Sequence, residues 1–436
     1  MNTKKSIYNT LILLCILFFC ICGNVNAENN HDKNNNTEIK SSREERFESR
    51  NEAPDSISGQ LNLIDQARKT MTPDALAERI FGPWFNLTDK LYENYGLNLG
   101  ITYSFLYQHA SQSLEGGKKD ATGGILDFFG EWYLLNRGKK NEGFLGFKTK
   151  WSNSPFTEIP PNRLNEEIGS LWRTSSSFNE QDFFITQVWW QQNLLDDKLR
   201  FRIGKVDQSD FIDFFRFSSA KLFFINAAFS LNPTIPYPEN GLGGFVKFQP
   251  TNIFYVLLSL GDNNAEGDSF NFKSFFEDRE YFTALEFNFW PLLQKIGLDG
   301  NNHITLWHSD GRDENGIKSS KGLSINLDEL LYDRYGVFIR YSYSDGKETN
   351  VKQLFSLGFG LSDIMGFSED IFAVAFAVGE PRQSNLRTQY VIESFYRIQL
   401  LNVLQVTPDI QFIVNPSDNP DEDLIVVFGI RARLAI

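Results

Sequence analysis

From Gly96 to Ile436 the chain alternates apolar and polar residues in short runs, and that period of two is the feature that most limits its fold. In "GLNLGITYSFLYQ", Leu97, Leu99, Ile101, Tyr103, Phe105 and Tyr107 share one face. Asn98, Gly100, Thr102, Ser104 and Gln108 share the other, with Leu106 the exception. "KLRFRIGKV" sets Leu199, Phe201 and Ile203 against Arg200 and Arg202, and "DIFAVAFAVGE" sets Phe372, Val374, Phe376 and Val378 against three alanines. Turn residues separate the runs, as at Asp310-Gly311, Asp345-Gly346, Gly366 and Asn415-Pro416. Roughly 16 such strands fit between Gly96 and the end. A strand of about ten residues crosses a bilayer when tilted.

Alternation alone suits either a soluble two-layer sandwich or a barrel with lipid outside and water inside. The leader, the absent disulfides, the strand count and the last run together tip the balance to the barrel. "DLIVVFGIRARLAI" alternates to its final residue, with Arg431 and Arg433 on the polar face. Soluble domains tend to fray at their ends. In lipid an open sheet edge leaves amides unsatisfied, so the last strand must pair with the first. Aromatics make up 15% of the chain, 41 of them Phe, yet mean hydropathy is −0.31 and no apolar run after the first residues is long enough for a membrane helix. This combination predicts an all-β fold: a closed antiparallel transmembrane β-barrel of about 16 strands with a short helical N-terminal segment.

The organisation follows. Residues 1–27 read as a signal peptide, with Lys4 and Lys5, an apolar core and Val25-Asn26-Ala27 before the cut. All three cysteines lie within it, so the mature chain is expected to have neither disulfide nor thiol chemistry. Residues 28–58 are polar and low in complexity, a flexible tail. Residues 59–95 read as helical, with Thr72 and Pro73 opening "TPDALAERI" and Gly96 closing "NLTDKLYENYG" as a second short helix. Residues 96–436 form the barrel domain. The net charge of −13 argues against a nucleic-acid partner.

No catalytic or metal pattern stands out. His31, His109, His303 and His308 lack metal-type spacing, and His308-Ser309-Asp310 reads as a turn. The chain is therefore expected to be no enzyme and to carry no cofactor. The inward charges suit a wet bore instead. By alternation these are Asp127, Glu131, Lys148, Lys150, Arg200, Arg202, Glu286, Arg340, Glu393, Arg397, Arg431 and Arg433. Trp189 and Trp190 read as interface-belt residues.

Two blocks carry a family resemblance. One is "QVWWQQNLLDDKLRFRIGKVDQSDF" with the following "FFINAAFSLNPTIPYPENGLGGFVKFQP", which holds Asn226, Asn232-Pro233, Pro236, Pro238 and Gly241-x-Gly243. The other is the C-terminal block with Glu393, Tyr396, Pro408-Asp409, Gln411, Asn415-Pro416 and Arg431. They resemble the carbohydrate-selective porins, the OprB-like family, from about Phe81 onward. Near the start "FGPWFN" keeps only Gly82 and Trp84 of a Gly-Asp-Trp-Gly-Gly-like segment. The resemblance implies an outer-membrane barrel of a Gram-negative bacterium passing monosaccharides such as glucose by facilitated diffusion, with arginines at a constriction. Arg200 and Arg202 fall in the matching block and take that role by resemblance. The expected partners are small sugars and outer-membrane lipids, with a homotrimer left open. Two readings stay beside this one: a porin for anions or other small nutrients, and a soluble exported sugar-binding or glycoside-hydrolysing β-protein.

Overall fold

The computed structural model describes residues 52–67, 75–251, 254–270, 272–289, 299–312, 316–331, 334–364 and 367–436. The signal peptide, most of the polar tail, His31, Thr72, Pro73 and Gly366 lie outside these residues. Two helices, α1 (Ile57–Ala67) and α2 (Ala75–Tyr95), precede a single antiparallel sheet. Its strands are β1 (Leu97–Ala110), β2 (Asp120–Leu135), β3 (Gly143–Asn153), β4 (Gln181–Leu194), β5 (Leu199–Val206), β6 (Gly241–Thr251), β7 (Phe254–Asp262) and β8 (Tyr281–Phe289). They continue through β9 (His303–Ser309), β10 (Ser320–Leu331), β11 (Tyr335–Ser344), β12 (Val351–Ile364), β13 (Phe367–Pro381), β14 (Gln389–Leu401), β15 (Leu404–Val414) and β16 (Leu424–Ala435). A two-residue bridge, Asp299–Gly300, prolongs the line of β9 along β10.

Each strand pairs with its sequence neighbours, and β16 pairs with β1 from Thr102↔Ala435 to Ala110↔Val427. The seam is finished by Ile101 and Ile436, which exchange backbone hydrogen bonds of 2.8 and 2.9 Å. The sheet is thus a closed 16-stranded barrel, as the alternation to the last residue predicts. No helix among the described residues is long and apolar enough to cross a membrane.

Alternation sorts the side chains as expected. On β11, Phe338, Arg340 and Ser342 are buried, while Ile339 and Tyr341 are exposed on the outer wall. On β16, Arg431 and Arg433 point inward, and Phe428 and Ile430 stand out at 52% and 47% exposure. An outer wall this apolar suits lipid, not water. Short connections such as residues 136–142, 195–198 and 402–403 join strands at the end that carries α2 and the C terminus. Longer loops gather at the other end, notably residues 154–180 and 207–240. In barrels of this type the short turns face the periplasm.

α2 differs from the two short helices that the sequence suggests. It runs unbroken through Pro83, which normally costs a helix about 3 kcal/mol. Ala77, Phe81, Phe85, Thr88 and Tyr92 recur every three or four residues, so one continuous face can be buried. Ala77 and Phe85 pack with Val403, Ile436, Ile101 and Leu434 beside the closing seam. At its end Gly96 takes φ +73° and donates to Tyr92 O, and Arg137 caps the carbonyls of Tyr92 and Glu93 at 2.6 and 3.0 Å. A Cβ at Gly96 would lie 2.7 Å from Tyr133 O, so the helix-to-strand corner requires glycine.

The chain also makes fixed contacts inside the barrel earlier than composition suggests. Composition assigns residues 52–58 to the flexible tail, but Glu52, Asp55 and Ser58 bind groups inside the barrel. Polar composition disfavours order only where no partner exists, and here the lumen wall supplies partners.

Candidate functional site

The lumen is not an open bore. The β5–β6 loop, residues 207–240, folds into it and packs on one side. Phe215, Phe217, Phe223, Phe224 and Phe229 are buried against Phe338, Leu354, Val391, Phe395, Ile413, Ile425 and Val427 of β11 to β16. The inward alanines of β13, Ala373, Ala375 and Ala377, belong to the same cluster. Their size is explained by what covers them. Gly358 and Gly360 of β12 make the same point, since a Cβ there would lie 2.3 Å from the Phe338 ring and 2.7 Å from the Phe217 ring. The loop from β3 to β4 folds in beside it, and Trp172 donates to Asn226 Oδ1 at 2.7 Å.

Wall charges hold this loop in register. Glu393 accepts from the amides of Ile225 and Asn226, Gln411 accepts from Asn226 Nδ2 at 2.9 Å, and Arg431 donates to the carbonyls of Ala220 and Phe223, each at 2.7 Å. Asn226 in turn caps the turn Ala227–Ser230 through Ala228 N. Arg340 reaches Leu231 O at 3.0 Å and Asp213 Oδ2 at 2.7 Å, and its guanidinium lies 4.4 Å from the Phe215 ring centroid. Arg397 lies over Phe223. Glu286 accepts from Asp213 N, Thr305 and Tyr255. Asn232 ties Asp213 to Ser324 and Ser342. The two sequence blocks that carry the family resemblance therefore meet in space, 167 residues apart at Asn226 and Glu393.

A single hydrogen bond contributes about 0.5–1.5 kcal/mol net, and burying a Phe contributes about 1.5–3 kcal/mol. Hydrogen bonds to charged groups contribute about 1.5–3 kcal/mol, so the phenylalanines and the charged contacts share the adhesion, and the polar contacts also select the register. Asp213 shows how far the polar set is tuned. Burial opposes its charge, but Arg340 and His303 outweigh that and lower its pKa to about 2.

Opposite this packed side, a cavity of about 260 Å³ lies between the loops and the β2–β4 wall. Asp127, Lys148, Lys150 and Gln187 come from the strands; Asn179, Asp207, Asp210, Lys221 and Tyr237 come from the loops. Lys221 pairs two of its acids. Lys221 Nζ sits 2.9 Å from Asp127 Oδ2 and 3.7 Å from Asp55 Oδ1. Burial disfavours the Lys221 ammonium, yet Asp127 and Asp55 more than compensate and raise its pKa. Lys150 donates to Asn179 Oδ1 and Lys148 to Asp55 O. Asp210 accepts from Gln187 Nε2 at 2.7 Å; burial first, then the charge of Asp207, raises its pKa to about 7.

The residues that alternation selects all face inward, but they divide. Asp127, Lys148 and Lys150 line the cavity. Glu286, Arg340, Glu393, Arg397 and Arg431 grip or contact the inserted loop. Glu131 accepts from Ser58 and Tyr133 beside α1. Arg202 bonds Glu52 at 2.6 Å and Gln191, and lies 3.7 Å over the Trp189 ring. Trp189 is 1% exposed and inward, not in a lipid interface belt as its sequence context suggests. Arg200 Nε and Arg433 Nε and Nη2 are buried without a hydrogen-bond partner among the described residues. Sequence reasoning missed the loop's own contributions, Asp207, Asp210, Lys221 and Tyr237. The available signal was the dense aromatic run "FIDFFRFSSAKLFF" inside a connection too long for a simple turn. No group of three or more His, Cys, Asp or Glu side chains among the described residues is placed to hold a metal.

Comparison with known proteins gives a consistent picture. The family model described as "Carbohydrate-selective porin, OprB family" matches residues 157–435. "Porin AaxA" of Chlamydia trachomatis serovar A is 24% identical over 279 residues, 62% of this chain and 59% of that protein. The Chlamydia pneumoniae protein of the same name is 23% identical, over 60% of this chain and 62% of its own. The chain thus spans about three-fifths of the length of these relatives. The high-pH structure of Pseudomonas putida OprB superimposes with a TM-score of 0.67 at 16% identity, over 82% of this chain and 98% of that one.

Proposed function

Because the chain belongs to the carbohydrate-selective porin family, OprB, we propose that it passes monosaccharides such as glucose by facilitated diffusion across an outer membrane. Porins are channels rather than enzymes, and a β-barrel of this family implies an outer membrane as its location. The solute path of this reading runs through the cavity between the β2–β4 wall and the β5–β6 loop.

One observation carries the choice of a sugar over an anion: the cavity is polar but presents no uncompensated positive field. Its cations, Lys148, Lys150, Arg173 and Lys221, are fewer than its acids, Asp55, Asp127, Asp207, Asp210, Asp213 and Glu239. A pore for phosphate-like anions would call for the reverse. Hydroxyl and amide groups stand between the charges, and Asn179, Ser177, Ser209 and Asn240 suit the alternating donors and acceptors of a sugar. Arg200 and Arg433 carry guanidinium N–H groups that are buried inside the barrel without a hydrogen-bond partner among the described residues, and neither lines this cavity. Arg202 is engaged by Glu52 and acts as a brace for its neighbours.

The test is single-channel recording in planar bilayers with glucose or phosphate added to one side. The expected result is saturable current block by glucose and none by phosphate. Block by phosphate with indifference to glucose would transfer the pore to the anion class. The Arg200→Ala/Arg202→Ala double variant is expected to widen the conductance and weaken glucose block.

A further inference from the structure

We propose that residues Glu52–Ala67 are the selectivity element of the pore, a plug inserted from the short-turn end that adds a second carboxylate to the cavity beside Asp127 of the wall. The proposal rests on the reading of this chain as a channel, but not on its solute. Asp55, in the extended lead into α1, lines the cavity. Its Oδ1 accepts from Ser219 at 2.8 Å and lies 3.7 Å from Lys221 Nζ, while its carbonyl accepts from Lys148. One residue of the plug therefore touches the β3 wall and the inserted loop at once, where solute and charge are filtered.

The plug has a built seat. Ile57, Leu61 and Ile64, on one face of α1, are buried at 0%, 2% and 4% exposure in a cluster with Phe129, Phe144 and Trp189 of the wall. The β1 strand is shaped for it. A Cβ at Gly100 would come within 3.0 Å of Ile64 Cδ1. Polar ties complete the seat: Thr102 donates to Gln60 at 3.5 Å, Ser58 to Glu131, and Ala53 N to Asp210 O at 2.9 Å. The Glu52–Arg202 ion pair, with side chains 8% and 1% exposed, fixes its start near the short-turn ends of β4 and β5. A chance contact in a wet bore would not bury an apolar helix face and satisfy its polar neighbours together.

The function follows from position. α1 fills lumen area that a bare barrel would leave to water, so it limits conductance. Asp55 puts a negative charge at the cavity floor, so it raises the preference for cations and keeps the lysines beside it compensated.

Two full-chain variants test this in potassium chloride alone, without sugar, so the outcome is independent of which solute the pore serves. Ile57→Asp/Leu61→Asp puts two carboxylates into the buried face of α1 and should evict it. Conductance should rise about twofold or more in a barrel that still shows heat-modifiable gel mobility. Conductance equal to wild type in that folded barrel overturns the proposal. Should the double variant fail to fold, Asp55→Asn decides. Its reversal potential in a salt gradient should move toward anions, and an unchanged potential overturns the proposal. Failure of glucose to block would sink the sugar assignment and leave these readouts as they are.

Discussion

The two sides of the lumen are packed differently. From β11 to β16 the inner face sets small and apolar residues beside Arg340, Glu393, Gln411 and Arg431, and loop phenylalanines close over it into a packed core. From β2 to β4 it is Asp127, Lys148, Lys150 and Gln187, left facing a cavity. Both sides have the same strand period and the same apolar exterior. The difference teaches that a barrel wall does not define the pore. What packs on the wall does.

The strongest way to break the contrast is to loosen the packed side. Phe224 is fully buried between Phe217, Phe229, Phe338 and Phe395. Phe224→Ala should destabilise the inserted loop by about 3–5 kcal/mol. A lower temperature of the gel-mobility transition and larger, noisier single-channel currents are expected; an unchanged transition would mean that the core does not hold the loop. Next comes Glu393→Ala, which leaves the amides of Ile225 and Asn226 without their acceptor. A loss of about 1–3 kcal/mol is expected in the same assay, with increased current noise. Its ranking below Phe224→Ala is the claim at risk.

The cavity side should respond differently. Lys150→Ala removes a half-buried cation whose recorded partner is Asn179. It should shift the reversal potential toward cations and leave the gel-mobility transition within about 0.5 kcal/mol of wild type. A large stability loss would show that this side is packed like the other. The smallest effect is expected from pH. Asp210 has a pKa near 7, so raising pH from 6 to 8 takes its carboxyl from mostly neutral to mostly charged. Asp207, Lys148, Arg202 and Gln187 surround it and set the size of the response. Cation preference should grow with pH over that interval, and Asp210→Asn should abolish the growth. A wild-type pore with flat selectivity from pH 6 to 8 would refute the assignment.

Periodicity made the wall legible. Asn98 against Leu97, Arg340 against Ile339 and Arg431 against Ile430 could each be assigned to a side from neighbours alone, because a pleated strand turns alternate residues to opposite faces. The final alternation through Leu434 and Ile436 even announced closure. The interface-belt reading misplaced Trp189, because it treated both adjacent tryptophans alike although alternation turns one of them to the lumen. Alternation also joined Asp127 and Arg431 in one set of pore charges, although one borders the cavity and the other clasps a loop.

Sequence by itself determined a closed cylinder with an apolar exterior and charged residues pointing inward, because strand alternation is a local property needing only a few neighbours. Only the tertiary structure decided which of those charges meet solvent. That depends on contacts such as Glu393 with Asn226 and Asp55 with Ser219, made across 167 and 164 residues by segments whose own local pattern records no partner.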